Sequence, residues 1–295
     1  MSQNSLIFPI ILLLLIINGV LFAEVSDSAI HDRICPCLCV YYPFKFSRFQ
    51  DNSDKPSFVP IPVYDNWSVD RIDRDVSRMS KSGLNGVLLA IEPSDLNDSH
   101  KLDMIRTFLV LVSNIKGFKV AYLFAPARLT QLSKSNVSSF LKRKKLLDYP
   151  SVYKFSDINV VFFSENVELV SSGNQDFLYV KLNLSGKLAN VDQISQGLID
   201  YPAIPMPLNN VENNFHIVHV FAGLANFTSD KVQWIVSRKN GHLFHANLDS
   251  CRKLSPDLVI ISSWNDYAQG SAIEHNTLDN TQMQEILLKS VQKAK

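Results

Sequence analysis

Short, almost continuous apolar runs alternate along the chain with segments whose apolar residues recur at helical spacing. Apolar runs of this length between helix breakers are typical of buried strands, and the intervening spacing is typical of amphipathic helices. The predicted strands are residues 39–42, 86–91, 119–124, 159–163, 177–180, 215–220 and 258–262. The predicted helices are residues 69–81, 100–115 and 135–147, together with one that leads into the last strand.

The predicted strands are apolar along most of their length and are separated by helices, a pattern that indicates a parallel sheet covered on both faces. A Gly-rich phosphate loop does not follow the first strand, which argues against a dinucleotide-binding sheet. The chain also has no repeats, linkers or low-complexity segments. We therefore expect an α/β protein with one domain, residues 24–295, folded as a single (β/α)8 TIM-type barrel.

The N-terminus predicts the compartment. Residues 6–17 are apolar apart from Pro9, Asn18 and Gly19 interrupt the run, and Ala23 precedes Glu24. This order is typical of a cleaved signal peptide, here residues 1–23. The alternative is an uncleaved anchor over residues 6–23, which are just enough to span a bilayer. Both interpretations predict an exported protein, secreted or extracytoplasmic, and cleavage would leave it without a membrane segment.

The charge balance narrows the class of partner. The chain has 29 Lys and Arg residues against 28 Asp and Glu residues, for a formal net charge of +1. A protein that binds nucleic acid or an acidic membrane surface normally carries a basic excess. We therefore expect neither partner, and the sequence leaves the oligomeric state open.

Polar and aromatic residues cluster directly after the last predicted strand, where a barrel of this type carries its active site. Aromatic rings there offer flat apolar surfaces to the C–H face of a sugar. Amide and carboxylate groups offer hydrogen bonds to its hydroxyls. The candidate substrate-binding residues are Trp264, Asn265, Tyr267, Gln269 and Glu274, and Asp266 is the candidate catalytic residue. An oligosaccharide or polysaccharide is the expected ligand.

The segment Ser-Trp-Asn-Asp-Tyr-x-x-Gly-Ser-x-Ile-Glu at 263–274 resembles the Trp-Asn-Glu-Trp-x-Glu-Gly-x-x-Ile-Glu-Pro motif of glycoside hydrolase family 99. That family contains endo-α-mannosidases and endomannanases. The Trp-Asn-Asp-Tyr core is also similar to family 71, the α-1,3-glucanases. Further segments resemble family 99 in the same order, over roughly residues 38–290: 40–43, 65–68 with 83–86, 149–153, 238–241 and 255–257.

The resemblance implies a mechanism and one departure from it. In family 99 the first acidic residue of the motif takes the proton from the 2-hydroxyl, so that O2 attacks C1 and forms an anhydro-sugar. The second acidic residue protonates the leaving oxygen and then activates water. These positions match Asp266 and Gln269. An amide has no proton to donate near neutral pH, so Gln269 cannot be a general acid.

Another carboxylate must then provide the second group that glycoside cleavage ordinarily needs. Glu92 and Glu165 each follow a predicted strand and are the candidate catalytic substitutes, although a capping or solvated role is the alternative. Glu274 matches the Ile-Glu of the motif, which implies a structural or substrate-binding role. Tyr41 and Tyr42 end the first strand and are candidates for lining the cleft or for packing in the core.

Histidine and cysteine spacing indicates neither a metal nor a cofactor. His216 and His219 lie at odd separation on one strand and should face opposite sides, while His242 and His245 lack a third ligand nearby. Cys35, Cys37 and Cys39 alternate along an extended run. For an exported chain we expect a disulfide from Cys251 to Cys35 or Cys37.

Three functions are compatible with these observations. The first is an exported hydrolase acting within an α-linked polysaccharide or glycan, endo-α-mannosidase-like or α-glucanase-like. The second is a catalytically impaired barrel that binds carbohydrate or a protein partner through the same cleft. The third is a barrel that acts in the assembly or modification of a surface polysaccharide. A second carboxylate near Asp266 would favour the first.

Overall fold

A computed structural model describes residues 35–44, 67–170, 177–182, 184, 198–205, 214–227, 232–266, 271–276 and 278–292. The predicted leader, residues 1–23, and the candidate residues Tyr267 and Gln269 lie outside these residues. The described residues fall in one compact unit, residues 35–292. None of the helices in this part of the chain is both long enough and apolar enough to cross a bilayer.

Strands and helices alternate through most of the described chain. The strands are β1 (Cys37–Tyr41), β2 (Gly86–Ile91), β3 (Lys119–Phe124), β4 (Thr130–Ser133), β5 (Lys154–Phe155), β6 (Ile158–Phe163), β7 (Val167–Val170), β8 (Phe177–Lys181), β9 (Leu198–Pro205), β10 (Asn214–Phe221), β11 (Leu224–Phe227), β12 (Val232–Val236) and β13 (Leu258–Ser262). The helices are α1 (Val69–Lys81), α2 (Ser99–Ser113), α3 (Lys134–Arg143), α4 (His242–Leu254) and α5 (Gln282–Gln292).

All seven predicted strands are present, and α1 has the predicted bounds. Ser68 caps α1, because its side chain accepts a hydrogen bond from the backbone of Arg71, and Gly83 ends that segment with φ of +88°. Helix α3 ends four residues before the predicted position. The apolar spacing continues through Leu146, but Lys145 adopts a left-handed φ of 56° and terminates the helix.

Seven strands pair in parallel in the order β8–β6–β3–β2–β1–β13–β10, and β5 and β9 add antiparallel partners to β6 and β10. The parallel sheet is therefore confirmed. At Gly86 a Cβ atom would lie 2.0 Å from the Lys119 carbonyl oxygen, so the close contact between β2 and β3 requires glycine. Among the described residues no pairing joins β8 to β9 or β10. The strand pairing therefore shows a mixed sheet in an α/β fold and does not show a closed barrel.

Successive strand residues point to opposite faces of the sheet and form two buried clusters. The helix face packs against the helices; its strand residues include Cys39, Val87, Tyr122, Val161, Val218 and Ile261. The inner face draws on all seven parallel strands and includes Leu38, Leu88, Leu123, Phe162, Val180, Ile217 and Ile260. The ring centroids of Phe155 on β5 and Phe215 on β10 are 4.3 Å apart, although five strands separate β5 from β10 in the sheet. The sheet therefore curls strongly.

The structure does not agree with the expected disulfide. Cys35, Cys37, Cys39 and Cys251 are all free thiols. Burial raises the pKa of Cys35 and of Cys251 to about 12, so both stay protonated near neutral pH. These side chains act as small apolar groups in the helix-face packing.

Candidate active site

The chain that leaves β13 is attached directly to the end of β1. The Trp264 backbone N–H donates to the Val40 carbonyl at 2.8 Å. The Asn265 side chain pairs with both backbone groups of Tyr42: Oδ1 accepts from the N–H at 2.9 Å and Nδ2 donates to the carbonyl at 2.8 Å. Asn265 is buried, so these bonds form away from water. They fix the segment before Asp266 against the first strand.

Hydrogen bonds across the loop hold its two described arms together. The Ser271 N–H donates to the Asp266 carbonyl at 3.1 Å, and the two hydroxyls of Ser263 and Ser271 are 3.0 Å apart. The Asp266 N–H donates to the Ser263 hydroxyl at 2.8 Å. Arg238 donates to the Ala272 carbonyl from outside the loop, at 2.8 Å. The backbone that carries Asp266 is therefore held from several directions.

Burial changes the roles expected for two residues of the motif. Trp264 and Glu274 are both fully buried, and Trp264 packs within the helix-face cluster. A ring with no exposed surface has no face for a sugar, so the expected stacking of Trp264 on a substrate does not fit this position. The Glu274 N–H donates to the Trp264 carbonyl at 2.9 Å. Its position agrees with the structural alternative for the Ile-Glu of the motif.

Tyr41 and Tyr42 separate onto opposite faces of the sheet. The Tyr41 hydroxyl donates to Oδ2 of Asp75 on α1 and accepts from Nε1 of Trp67, both at 2.8 Å. Tyr41 is fully buried, so the structure assigns it to packing rather than to a cleft. Burial, and next the Asp75 carboxylate, raise its pKa well above its usual range. Tyr42 belongs to the inner-face cluster and is 4% exposed.

Glu92 and Glu165 follow β2 and β6, and their strands run parallel to β13. Both residues are half-buried and lie at the same end of the sheet as Asp266. The Glu92 N–H donates to Oδ2 of Asp95 at 2.8 Å, and Oε2 of Glu165 accepts from the Leu184 N–H at 2.9 Å. Asp266 itself is 7% exposed.

Strand order ranks the two glutamates as partners of Asp266. Only β1 lies between β13 and β2, so the ends of these two strands are about 10 Å apart at the usual strand spacing. Between β13 and β6 lie three strands, and the side chains of β6 that face inward run from Phe162 to Ser164 and not to Glu165. Side chains along β2 also alternate between the two faces of the sheet. Ala90 belongs to the inner face, so the same alternation places Glu92, two residues later, on the inner side. Glu92 is thus the better positioned carboxylate.

Similar folds occur among solved structures. An endo-α-mannosidase of glycoside hydrolase family 99 (GH99) from Bacteroides thetaiotaomicron, in complex with bis-tris propane, has a TM-score of 0.63 and 14% identity, covering 88% of this chain and 97% of that chain. Another structure of a GH99 endo-α-mannosidase from this species has a TM-score of 0.58 and 12% identity, with the same coverage of both chains. A glycoside hydrolase-like protein gives 0.52 and 12%, covering 86% and 93%.

This chain has a GH99-like fold. The resemblance inferred from the motifs is thereby confirmed at the level of the fold. No family model and no curated protein sequence matches the chain. Of the candidate site residues in the motif, the structure describes Trp264, Asn265, Asp266 and Glu274, whereas Tyr267 and Gln269 are outside the described residues.

A polar pair that the sequence analysis did not select lies on the inner face, beneath the β13 loop of the GH99-like fold. His219 Nε2 is 2.8 Å from the hydroxyl of Ser262, the last residue of β13, and both residues are buried. Within the described part of the chain, His219 Nδ1 has no hydrogen-bond partner. Burial lowers the pKa of His219 to about 3, so the imidazole is neutral near pH 7. The sequence feature that could have indicated this pair is a histidine within an otherwise apolar strand, at a position that faces the inside of the sheet.

His216 lies on the opposite face of β10, as its spacing from His219 predicted. It pairs with Asp200 through Nε2 and Oδ1, 2.6 Å apart. Across the residues that the structure describes, no three His, Cys, Asp or Glu side chains are grouped as ligands for a metal ion.

Proposed function

We propose that this protein is an exported glycoside hydrolase-like protein that acts within α-linked polysaccharide or glycan, endo-α-mannosidase-like or α-glucanase-like. The GH99-like fold supports a glycan-processing function. In the proposal, residues 24–295 form a closed (β/α)8 barrel after removal of a signal peptide, residues 1–23. Strong curling of the sheet, seen in the contact between Phe155 and Phe215, supports closure.

The observation that carries the proposal is the relation between two carboxylates. Asp266 follows β13 and Glu92 follows β2, on parallel strands separated by β1 alone. The estimate of about 10 Å between their strand ends lies at the upper end of the range of about 5–10 Å for paired glycosidase carboxyl groups.

On an α-mannoside, whose 2-hydroxyl is trans to the leaving oxygen, Asp266 accepts the proton of the 2-hydroxyl as O2 attacks C1. The bond from C1 to the leaving oxygen breaks, and the carboxylic acid of Glu92 supplies the proton to that oxygen. The Glu92 carboxylate then takes a proton from water, which opens the anhydro-sugar at C1, and Asp266 returns its proton to O2. The steps balance, and hydrolysis needs no further reactant.

The direct test is hydrolysis of α-mannan oligosaccharides and α-1,3-glucan, measured as new reducing ends. Wild-type protein should cleave one of them, and Asp266→Asn should lose cleavage by about 10²–10⁴-fold while still binding the glycan. Asp148→Asn, at an exposed position after α3, is the matched control and should leave turnover unchanged. Equal turnover in wild-type protein and Asp266→Asn would exclude this mechanism.

The glutamine at position 269 favours a second candidate, a barrel that binds carbohydrate or a protein partner without cleaving glycan. Gln269→Glu distinguishes the two functions. If Glu92 is the acid, the new carboxylate, three residues after Asp266 in the sequence, should leave turnover unchanged or lower it, because like charges disturb the pKa values of a working pair. A rise of about 10²–10⁴-fold would instead favour the impaired barrel, since that is the usual contribution of a general acid.

Export is tested separately by N-terminal sequencing of the protein recovered outside the cytoplasm. We expect a first residue near Glu24, because Ala23 ends the predicted signal peptide. Recovery of exported protein that still begins at Met1 would favour the anchor over residues 6–23.

A further inference from the structure

A cavity of about 380 Å³ lies between the loop after β2 and helix α3. Pro93 and Asn97 line it on the loop side, Phe124 at the end of β3, and Asn136, Phe140 and Arg143 on the helix side. Its volume falls in the range of small-molecule sites, about 300–1,000 Å³. Pro93 directly follows Glu92, and Phe124 ends a parallel strand, so the cavity lies at the same end of the sheet as Asp266, on the helix face to which Phe124 belongs.

The lining combines an apolar base with polar side chains at the rim. Phe124 is 2% exposed, whereas Asn97, Asn136 and Arg143 are exposed. Phe140 is half-buried and offers a ring to the cavity. Such a surface fits a sugar ring, whose C–H face packs on an aromatic side chain while its hydroxyls bond to amides.

The charge of the helix side is strongly positive. Residues 134–145 contain five basic and no acidic side chains, and none of the residues that line the cavity is acidic. The Arg143 guanidinium lies 5.3 Å from the centroid of the Phe140 ring, and Lys144 Nζ lies 5.4 Å from it. Arg143 forms no ion pair within the described part of the chain. A guanidinium beside a sugar-sized cavity is suited to bidentate binding of a phosphate, sulfate or carboxylate.

We propose that this cavity binds an acidic sugar unit of the glycan, with Phe140 against the sugar ring and Arg143 on its anionic group. The proposal rests on the proposed function and narrows its substrate to an α-linked glycan that carries anionic substituents. A sugar unit held here would extend the glycan along the sheet end from Asp266 past the loop after β2.

The experiment is calorimetric titration of the full-length protein with three probes: a neutral α-mannotetraose, the same tetrasaccharide with one phosphate monoester, and inorganic phosphate. The phosphorylated sugar should bind about tenfold tighter than the neutral sugar, with the gain shrinking at high salt. Arg143→Gln should remove that gain. Lys142→Gln is the matched control, because it removes one charge from the same exposed turn, where Lys142 Nζ lies 5.5 Å from the Phe177 ring and does not line the cavity. It should keep the gain.

Each outcome separates this proposal from the proposed function. Binding of the neutral sugar without a gain from phosphate overturns the cavity proposal and leaves the function standing. An Arg143-dependent gain with no hydrolysis of any glycan sustains the cavity proposal and counts against the hydrolase. Two further results overturn the cavity proposal. One is an equal loss of binding in Lys142→Gln and Arg143→Gln, and the other is binding of inorganic phosphate as tight as that of the phosphorylated sugar. Failure of all sugars to bind overturns both.

Discussion

The loop after β13 and the loop after β2 each carry a candidate catalytic carboxylate at the same end of the sheet, but they are held in different ways. The β13 loop (residues 263–266 and 271–274) is bound to another strand, since Asn265 pairs with the backbone of Tyr42. The β2 loop (residues 92–98) is closed mainly on itself. Asp95 accepts from the Glu92 N–H, and its N–H donates back to the Glu92 carbonyl at 3.0 Å.

This difference suits two different tasks. A base that takes a hydroxyl proton must hold a fixed distance to the reacting carbon, and the position of Asp266 is set by bonds to β1 and by the bracing of Arg238. A proton donor must reach the leaving oxygen, and Glu92 stands on a loop whose contacts are mostly local. The comparison predicts that substitutions in the β13 loop lower the free energy of unfolding. Substitutions in the β2 loop should mainly lower kcat.

The largest expected effect is on turnover, at Glu92. Glu92→Gln keeps the size of the side chain but cannot donate a proton, so kcat should fall by about 10²–10⁴-fold while glycan binding persists. The alkaline limb of the pH–rate profile, which reports deprotonation of the general acid, should change as well, and a purely structural role would not produce that change. Reducing-end assays across pH measure both effects.

Glu165→Gln is the matched comparison for that variant. Gln retains an oxygen that can accept from the Leu184 N–H, so the local structure should be kept. Because three strands separate β6 from β13, we expect turnover within about tenfold of wild type, a difference below that of losing a general acid. A large loss at position 165 with normal turnover in Glu92→Gln would reverse the assignment.

The next effect is on stability, in the β13 loop. Asn265→Ala removes two hydrogen bonds that the buried Tyr42 backbone makes with this side chain. The free energy of unfolding should fall by about 1–3 kcal/mol, since each of the two lost hydrogen bonds contributes about 0.5–1.5 kcal/mol. Denaturant unfolding measures the change. Asn114→Ala, at the exposed end of α2, should stay within about 0.5 kcal/mol of wild type.

The same contact shows where sequence reasoning reached its limit. All seven parallel strands followed from local apolar runs, and the position of the motif at a strand end followed from them. The bond between Asn265 and Tyr42 joins residues 223 positions apart, and no local pattern contains it. The sequence suggests sugar stacking for Trp264, but an aromatic residue after a strand occurs in a hydrophobic core as well as in a binding cleft. Only the packing around it distinguishes the two.

His219, which lies beneath the β13 loop, makes the stability of the protein sensitive to low pH. The pKa of His219 is about 3 in the folded protein and about 6.5 in its ordinary state. Between these pH values the unfolded chain binds more protons than the folded protein, so the free energy of unfolding falls as the pH falls. The slope is about 1.4 kcal/mol per pH unit, or about 2 kcal/mol lost at pH 5.

Unfolding measured from pH 7 to pH 4 checks this effect. His219→Gln keeps a polar group toward Ser262 but does not titrate, so its stability should vary less with pH than that of wild type. His216→Gln is the control, because His216 is half-buried and bonded to Asp200, and it should retain the acid sensitivity of wild type. Identical pH slopes in wild type and His219→Gln would contradict the role given to burial of this imidazole.

The smallest effect should come from the β2 loop. Asp95 is buried and bonds to the Glu92 N–H, and its Oδ1 lies 2.6 Å from Nζ of Lys101, which is 37% exposed. Asp95→Ala should lower the free energy of unfolding by about 1–2 kcal/mol, because one bond is lost and the partly exposed ion pair adds little. Asp95→Asn keeps an acceptor for Glu92 and should cost less than Asp95→Ala. If Asp95→Ala destabilised the protein more than Asn265→Ala, the β2 loop would be the more strongly anchored of the two, and the proposed division between a fixed base and a locally held acid would fail.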